Sequence, residues 1–136
     1  MGVTLDINDL GDYFVVGIPR NDENGGQSGV CVVAHQTNFN TNHQRNGGSG
    51  SGETYDYEKV EPSDGSLSSD DYFGATVKMA GDQSKIVISA VRDDQTQSDS
   101  GSVYIFNKGN GNTWSQAQRI NSPAPSSSAY LSLIHI

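Results

Sequence analysis

Short apolar runs recur along the chain, each bounded by clusters of Gly, Asn, Asp and Ser. Runs of this length and composition read as β-strands split by turns. The segment GATVKMA alternates small or apolar with polar residues. KIVISAV is almost continuously apolar, which suits a strand covered on both faces. GSVYIFN follows after a polar loop. WSQAQRIN is polar on one side, as a solvated edge strand should be. Together the pattern predicts strands at 3–8, 13–18, 29–35, 55–61, 74–80, 85–91, 101–107 and 114–120. No segment sustains a 3.6-residue apolar period, so almost no helix is expected. Phe14, Val16, Ile86, Ile88, Val103 and Ile105 are the candidate core residues.

The runs are copies of one another. Sliding the chain by 72 residues places 2–34 on 74–106 without a gap and gives 7 identities in 33 positions. The identities include turn and loop residues: Arg20 meets Arg92, Asp22 meets Asp94, and Ser28-Gly29 meets Ser100-Gly101. Apolar positions meet apolar ones, as in Leu5/Val77, Ile7/Met79, Phe14/Ile86 and Val16/Ile88. The chain therefore divides into a first unit over 1–61, a second over 62–121 and the start of a third over 122–130. SSSAY before position 131 resembles Ser68–Tyr72 (SSDDY). The first unit carries an Asn-, Gly- and Ser-rich insertion at 36–54, read as a flexible surface loop. The last six residues, LSLIHI, resemble the translation of a sequencing adapter, which implies a non-native tail at 131–136 and a chain that is a fragment.

Val, Ile, Leu and Phe make up about 21% of the chain, close to the disordered range, so folding depends on how they are distributed. The net charge of −8 argues against nucleic acid, which a basic surface must neutralise. It argues equally against an anionic membrane surface. No apolar run approaches the ~18 residues of a membrane span. The single cysteine, Cys31, excludes an intrachain disulfide and a multi-cysteine zinc site. It aligns with Val103 inside a strand, so a buried, inert thiol is expected.

The order of motifs resembles the FG-GAP repeat, the propeller unit of integrin α-subunit heads. Phe73-Gly74 stands at the FG position. Ser89-Ala90-Val91 stands at GAP, and Gly17-Ile18-Pro19 matches that motif more closely. Ser100-Gly101-Ser102-Val103-Tyr104-Ile105-Phe106 resembles the SGxVYVF strand, with Gly29 in the same place in the first unit. Trp114 and Ile120 match the outer strand. The resemblance implies an all-β fold, a partial β-propeller of about two four-stranded antiparallel blades. It marks Gly17, Pro19, Gly29, Phe73, Gly74, Gly101, Tyr104 and Trp114 as structural motif residues. One blade cannot cover both its faces, so the resemblance also implies neighbouring blades beyond this segment.

Candidate chemistry is sparse. In calcium-binding members of the family, the first hairpin holds a D-x-[DN]-x-[DN]-G loop. Here Asp6, Asn8 and Asp12 are the candidates, but Leu10 stands at the third ligand position and the second unit offers Lys78 and Ala80. Turn-forming roles compete with calcium at these positions, and no other cofactor is expected. Asn21, Asp22, Glu23, Asp93, Asp94 and Asp99 line the loops that the resemblance assigns to the ligand face; a solvated acidic surface competes with that role. Arg20 and Arg92 are expected to pair with a nearby Asp. His35 and His43 lack a third metal ligand. Trp114 reads as a packing residue. The function expected is therefore non-enzymatic: an extracellular or cell-surface binding or adhesion module for a protein or glycan ligand. The alternative is an accessory propeller domain of a secreted hydrolase.

Overall fold

The computed structural model describes residues 3–37 and 55–133. Among them the regular elements are all strands: β1 (Thr4–Ile7), β2 (Tyr13–Ile18), β3 (Val30–Gln36), β4 (Tyr55–Val60), β5 (Phe73–Met79), β6 (Lys85–Ala90), β7 (Ser102–Lys108) and β8 (Trp114–Asn121). They form two four-stranded antiparallel meanders, β1-β2-β3-β4 and β5-β6-β7-β8. These are two consecutive blades of a propeller-type fold. Each observed strand lies within a residue or so of the place its apolar run predicts.

The repeat is visible in the strand register. Thr4 pairs with Gly17 and Thr76 with Ser89; Tyr13 pairs with His35 and Lys85 with Asn107. All four second-sheet partners follow from the 72-residue shift. At the fourth strand the shift is shorter, since Cys31 pairs with Val60 and Val103 with Ile120. The difference lies between the third and fourth strands. Most of the predicted insertion falls outside the described residues, but Gln36 closes β3.

The core lies between the two sheets. Tyr13, Val15, Cys31, Val33 and Val60 line one side; Phe73, Val77, Ile86, Ile88, Tyr104 and Phe106 line the other. This corrects part of the expected core. Ile86, Ile88 and Val103 are buried, but Phe14, Val16 and Ile105 are only half-buried. The reason is the two-residue period of a strand. Tyr13 and Val15 point to the seam, so Phe14 and Val16 point to the opposite face of the first sheet. Ile105 likewise points away from the seam, and Tyr104 and Phe106 take the core positions.

Glycines set the distance between blades. A Cβ on Gly17 would overlap the carbonyl of Gly74. Gly74 itself sits at φ +87°, where a Cβ would stand 2.9 Å from the Val30 oxygen. The FG glycine therefore lets the leading strand of the second blade press against the first, as expected of a close backbone approach. Beside it, Gly29 forms a parallel bridge with Phe73, and the Phe73 amide donates to the Ser28 carbonyl at 2.8 Å.

The same docking recurs one blade later. Asp70, Tyr72 and Phe73 donate their amides to the carbonyls of Gly26, Gln27 and Ser28. Ser128, Tyr130 and Leu131 donate theirs to Ser98, Asp99 and Ser100. The left-handed residues coincide: Asp70 with Ser128, and Tyr72 with Tyr130. Thr4 donates its hydroxyl to the Gly74 carbonyl, and Thr76 brings its hydroxyl to within 3.5 Å of Ser132. Leu131, Ser132 and Leu133 thus stand on the second sheet where Phe73, Gly74 and Ala75 stand on the first. Residues 134–136 lie outside the described residues.

Candidate functional site

The β2–β3 and β6–β7 loops meet at one end of the seam, and their acidic residues build them. Asp22 accepts the Gln27 amide at 2.7 Å, and Asp94 accepts the Asp99 amide at 2.7 Å. Asn21 accepts the amide of Glu23, and Asp93 that of Gln95, at the equivalent positions. Short polar side chains bonding their own backbone fix such turns. Glu23 pairs with Lys59 at 2.8 Å. The two loops are therefore repeated, internally bonded structures.

Tyr72 joins these loops across the seam. The Arg92 guanidinium lies 5.3 Å from its ring centroid and that of Arg20 lies 5.8 Å away. Cations at this distance are attracted by the ring quadrupole. Arg92 is also held by Asp99, at 2.7 Å from Nε and 3.5 Å from Nη2. The expected Asp partner is thus present for Arg92. Arg20 is exposed and reaches the Tyr72 ring instead. Pro19 opens the turn that carries Arg20 away from β2.

Beneath this surface lies a buried polar network that sequence reasoning did not find. Asp93 is fully buried. It accepts Tyr104 Oη at 2.6 Å and Arg119 Nη2 at 2.7 Å. Tyr104 Oη is also 2.8 Å from Ser66 Oγ, and Arg119 reaches Ser102 Oγ at 3.2 Å. Burial, then the hydrogen bond to Asp93, pushes the Tyr104 pKa well above its ordinary value. Asp71, also fully buried, accepts the Ser68 amide at 2.6 Å and its hydroxyl at 2.9 Å. Burial pushes the Asp71 carboxyl up to about 6, and the charges of Asp93 and Asp94 add to this.

At the other end of the seam, a cavity of about 250 Å³ is lined by Tyr13, His35, Asp56, Tyr57, Glu58 and Asn112. His35 stacks on Tyr13 with centroids 4.2 Å apart, and Asn112 touches both: Tyr13 Oη donates at 2.5 Å, and His35 Nδ1 is 3.3 Å away. Lys108 Nζ lies 4.0 Å from the Tyr13 centroid. Trp114 packs in the core, and its amide donates to Glu58 at 3.1 Å. His43 lies outside the described residues.

The calcium candidates are not aimed at one point. Asp6 crosses the seam to accept the Met79 amide at 2.7 Å, with Lys78 Nζ at 3.6 Å. Asn8 accepts the amides of Asp12 and Tyr13 and donates to the Asp12 carboxylate at 2.7 Å. That is a hairpin-turn arrangement. Among the described residues, no three His, Cys, Asp or Glu side chains stand close enough to hold a metal. Cys31 is buried in the seam, and burial pushes its thiol up to about 12, far from a reactive thiolate. No helix among the described residues is long and apolar enough to cross a membrane.

Comparison with known proteins agrees with this geometry. No curated protein and no solved structure matches the chain. The family model of the FG-GAP repeat matches residues 55–106. That span starts on β4 of the first blade and ends within β7 of the second, so the family unit includes the seam itself. With its FG glycine at the blade contact and its SG glycine under the leading strand, the span over residues 55–106 carries an FG-GAP repeat.

Proposed function

We propose that this chain is a non-enzymatic binding or adhesion module that works outside the cell and recognises a protein or glycan ligand. Recognition takes place at the loop end of the blade seam. The observation that carries this reading is the Arg20–Tyr72–Arg92 cluster, contributed by both blades and framed by two internally bonded loops. Aromatic and arginine side chains on a rigid frame offer contact area and hydrogen bonds at low ordering cost. The polar groups beneath are already committed: Asp93 to Tyr104 and Arg119, and Asp71 to Ser68. That commitment favours a scaffold role over acid–base chemistry.

The test is to probe immobilised protein and glycan panels with the labelled chain, then repeat with Arg20→Ala and Glu23→Ala. Both residues are exposed, so neither change should shift the melting curve. Binding should weaken at least about tenfold, a loss of about 1.4 kcal/mol. Tyr57→Ala, at the opposite end of the first sheet, should bind as the parent does. Binding that ignores both loop substitutions, or turnover of a probe, overturns the reading.

A further inference from the structure

We propose that Asn110 is a site of spontaneous deamidation, and that the change loosens the seam at the β7–β8 turn. An asparagine followed by glycine is open to this reaction because glycine has no Cβ to shield its own nitrogen. Two such pairs lie among the described residues, Asn24-Gly25 and Asn110-Gly111; a third, Asn46-Gly47, lies outside them. The fold treats the two differently. Asn24 donates its side-chain amide to the Glu61 carboxylate at 2.5 Å, and the Gly25 amide donates to the Asp22 carbonyl at 3.3 Å. Both reacting groups are held there. Asn110 and Gly111 are exposed in the β7–β8 turn, and neither the Asn110 side chain nor the Gly111 N–H has a partner among the described residues. Gly111 sits at φ +71°, with nothing within 4 Å of where a Cβ would stand.

The reaction needs only water. The Gly111 nitrogen loses its proton and attacks the side-chain carbonyl carbon of Asn110. The new N–C bond forms as the bond from that carbon to the amide nitrogen breaks, and the amide leaves with the proton as ammonia. Water then opens the cyclic imide. Opening at the side-chain carbonyl gives aspartate. Opening at the main-chain carbonyl gives isoaspartate, whose backbone runs through the side chain and is one carbon longer. The turn is closed by the Gly109 amide, which donates to the Thr113 carbonyl at 2.8 Å, and by the Thr113 hydroxyl, which donates to the Asn110 carbonyl at 3.0 Å. Isoaspartate converts that Asn110 carbonyl into a carboxylate hanging off the chain. Two residues on, Asn112 bridges the seam: it accepts Tyr13 Oη, and its amide nitrogen lies 3.3 Å from His35 Nδ1. A longer turn displaces Asn112 from both partners, and either product adds one negative charge to a chain already at −8.

Peptide mapping by mass spectrometry, on the full chain aged in mildly alkaline buffer, reads each asparagine separately. In the native chain Asn110 should deamidate at least about tenfold faster than Asn24, a barrier lower by about 1.4 kcal/mol. In denaturing urea the bonds to Asp22 and Glu61 are lost, and the two rates should converge. Equal native rates overturn the inference. So does a native gap that persists unchanged in urea, because neighbouring residues and not the fold would then set it. Urea midpoints read the consequence for the seam. The isoaspartate form, separated by chromatography, should unfold at lower urea than the fresh chain. Asn110→Asp, which gains the charge with an unchanged backbone, should unfold with the fresh chain. An isoaspartate form that matches the fresh chain, or an Asn110→Asp chain that falls as far as the isoaspartate form, overturns the loosening.

Discussion

Gly17 and Gly74 face one another across the seam so closely that neither has room for a methyl group. A Cβ on Gly17 would overlap the Gly74 carbonyl and the Thr4 hydroxyl. Because the obstacle is backbone, Gly17→Ala should push the blades apart and cost at least about 1–3 kcal/mol. Gly26→Ala, where nothing lies within 4 Å, should stay within about 0.5 kcal/mol of the parent. Urea midpoints of the two variants measure the difference; equal midpoints would contradict the close packing.

The Asp93–Arg119 pair should be costly to break and cheap to replace. Asp93 is fully buried, and its carboxylate is satisfied by Arg119, Tyr104 and the Gln95 amide. Arg119→Ala leaves that charge short of a partner and should destabilise by about 3–5 kcal/mol. The double variant Asp93→Asn/Arg119→Met should be more stable than Arg119→Ala alone. Denaturation of the parent and both variants gives the comparison, and a double variant no more stable than Arg119→Ala would show that the two residues do not act together.

Asp71 predicts a pH dependence of definite sign. Its carboxyl is raised from 3.8 to about 6 by burial, so the folded chain holds the proton more tightly than the unfolded chain. Its contribution is full below about pH 4 and is lost as pH rises through 6. The shift of about two units corresponds to at most about 3 kcal/mol. Asp71→Asn should remove this dependence, gaining on the parent between pH 5 and 7 when urea midpoints are compared. A parent-minus-variant difference that does not change over that range would contradict the assignment.

Calcium should have little effect. Asp6 is spent on the Met79 amide and Asn8 on its own turn. Titration calorimetry should show binding no tighter than millimolar, and Asp6→Ala should lower the melting temperature equally with and without calcium. Micromolar binding that disappears in Asp6→Ala would move the chain into the calcium-dependent part of the family.

Strand positions and the repeat were legible in the sequence because both are local or periodic. The apolar run over Tyr13–Ile18 and the shared Arg20/Arg92 and Gly29/Gly101 turns needed no third dimension. Which face of β2 is covered was not legible. Phe14 and Ile86 share a repeat position, yet only Ile86 has a blade against it. Long-range polar pairs were hidden for a similar reason. Asp6 finds Met79, and Asp93 finds Arg119, only after the sheets meet.

The central claim is that the two repeats pack as consecutive blades with the core in the seam between them. Cys31, the only cysteine, sits in that seam and is fully buried, so its thiol reports directly on closure. The measurement is the rate of thiol labelling of the native chain across a urea series, alongside Trp114 fluorescence. Labelling should be negligible in native buffer and should rise in step with the loss of Trp114 signal, since both side chains are released when the seam opens. Labelling at the rate of a free thiol in native buffer, with the strand signal intact by circular dichroism, would show blades that do not pack and would contradict the account.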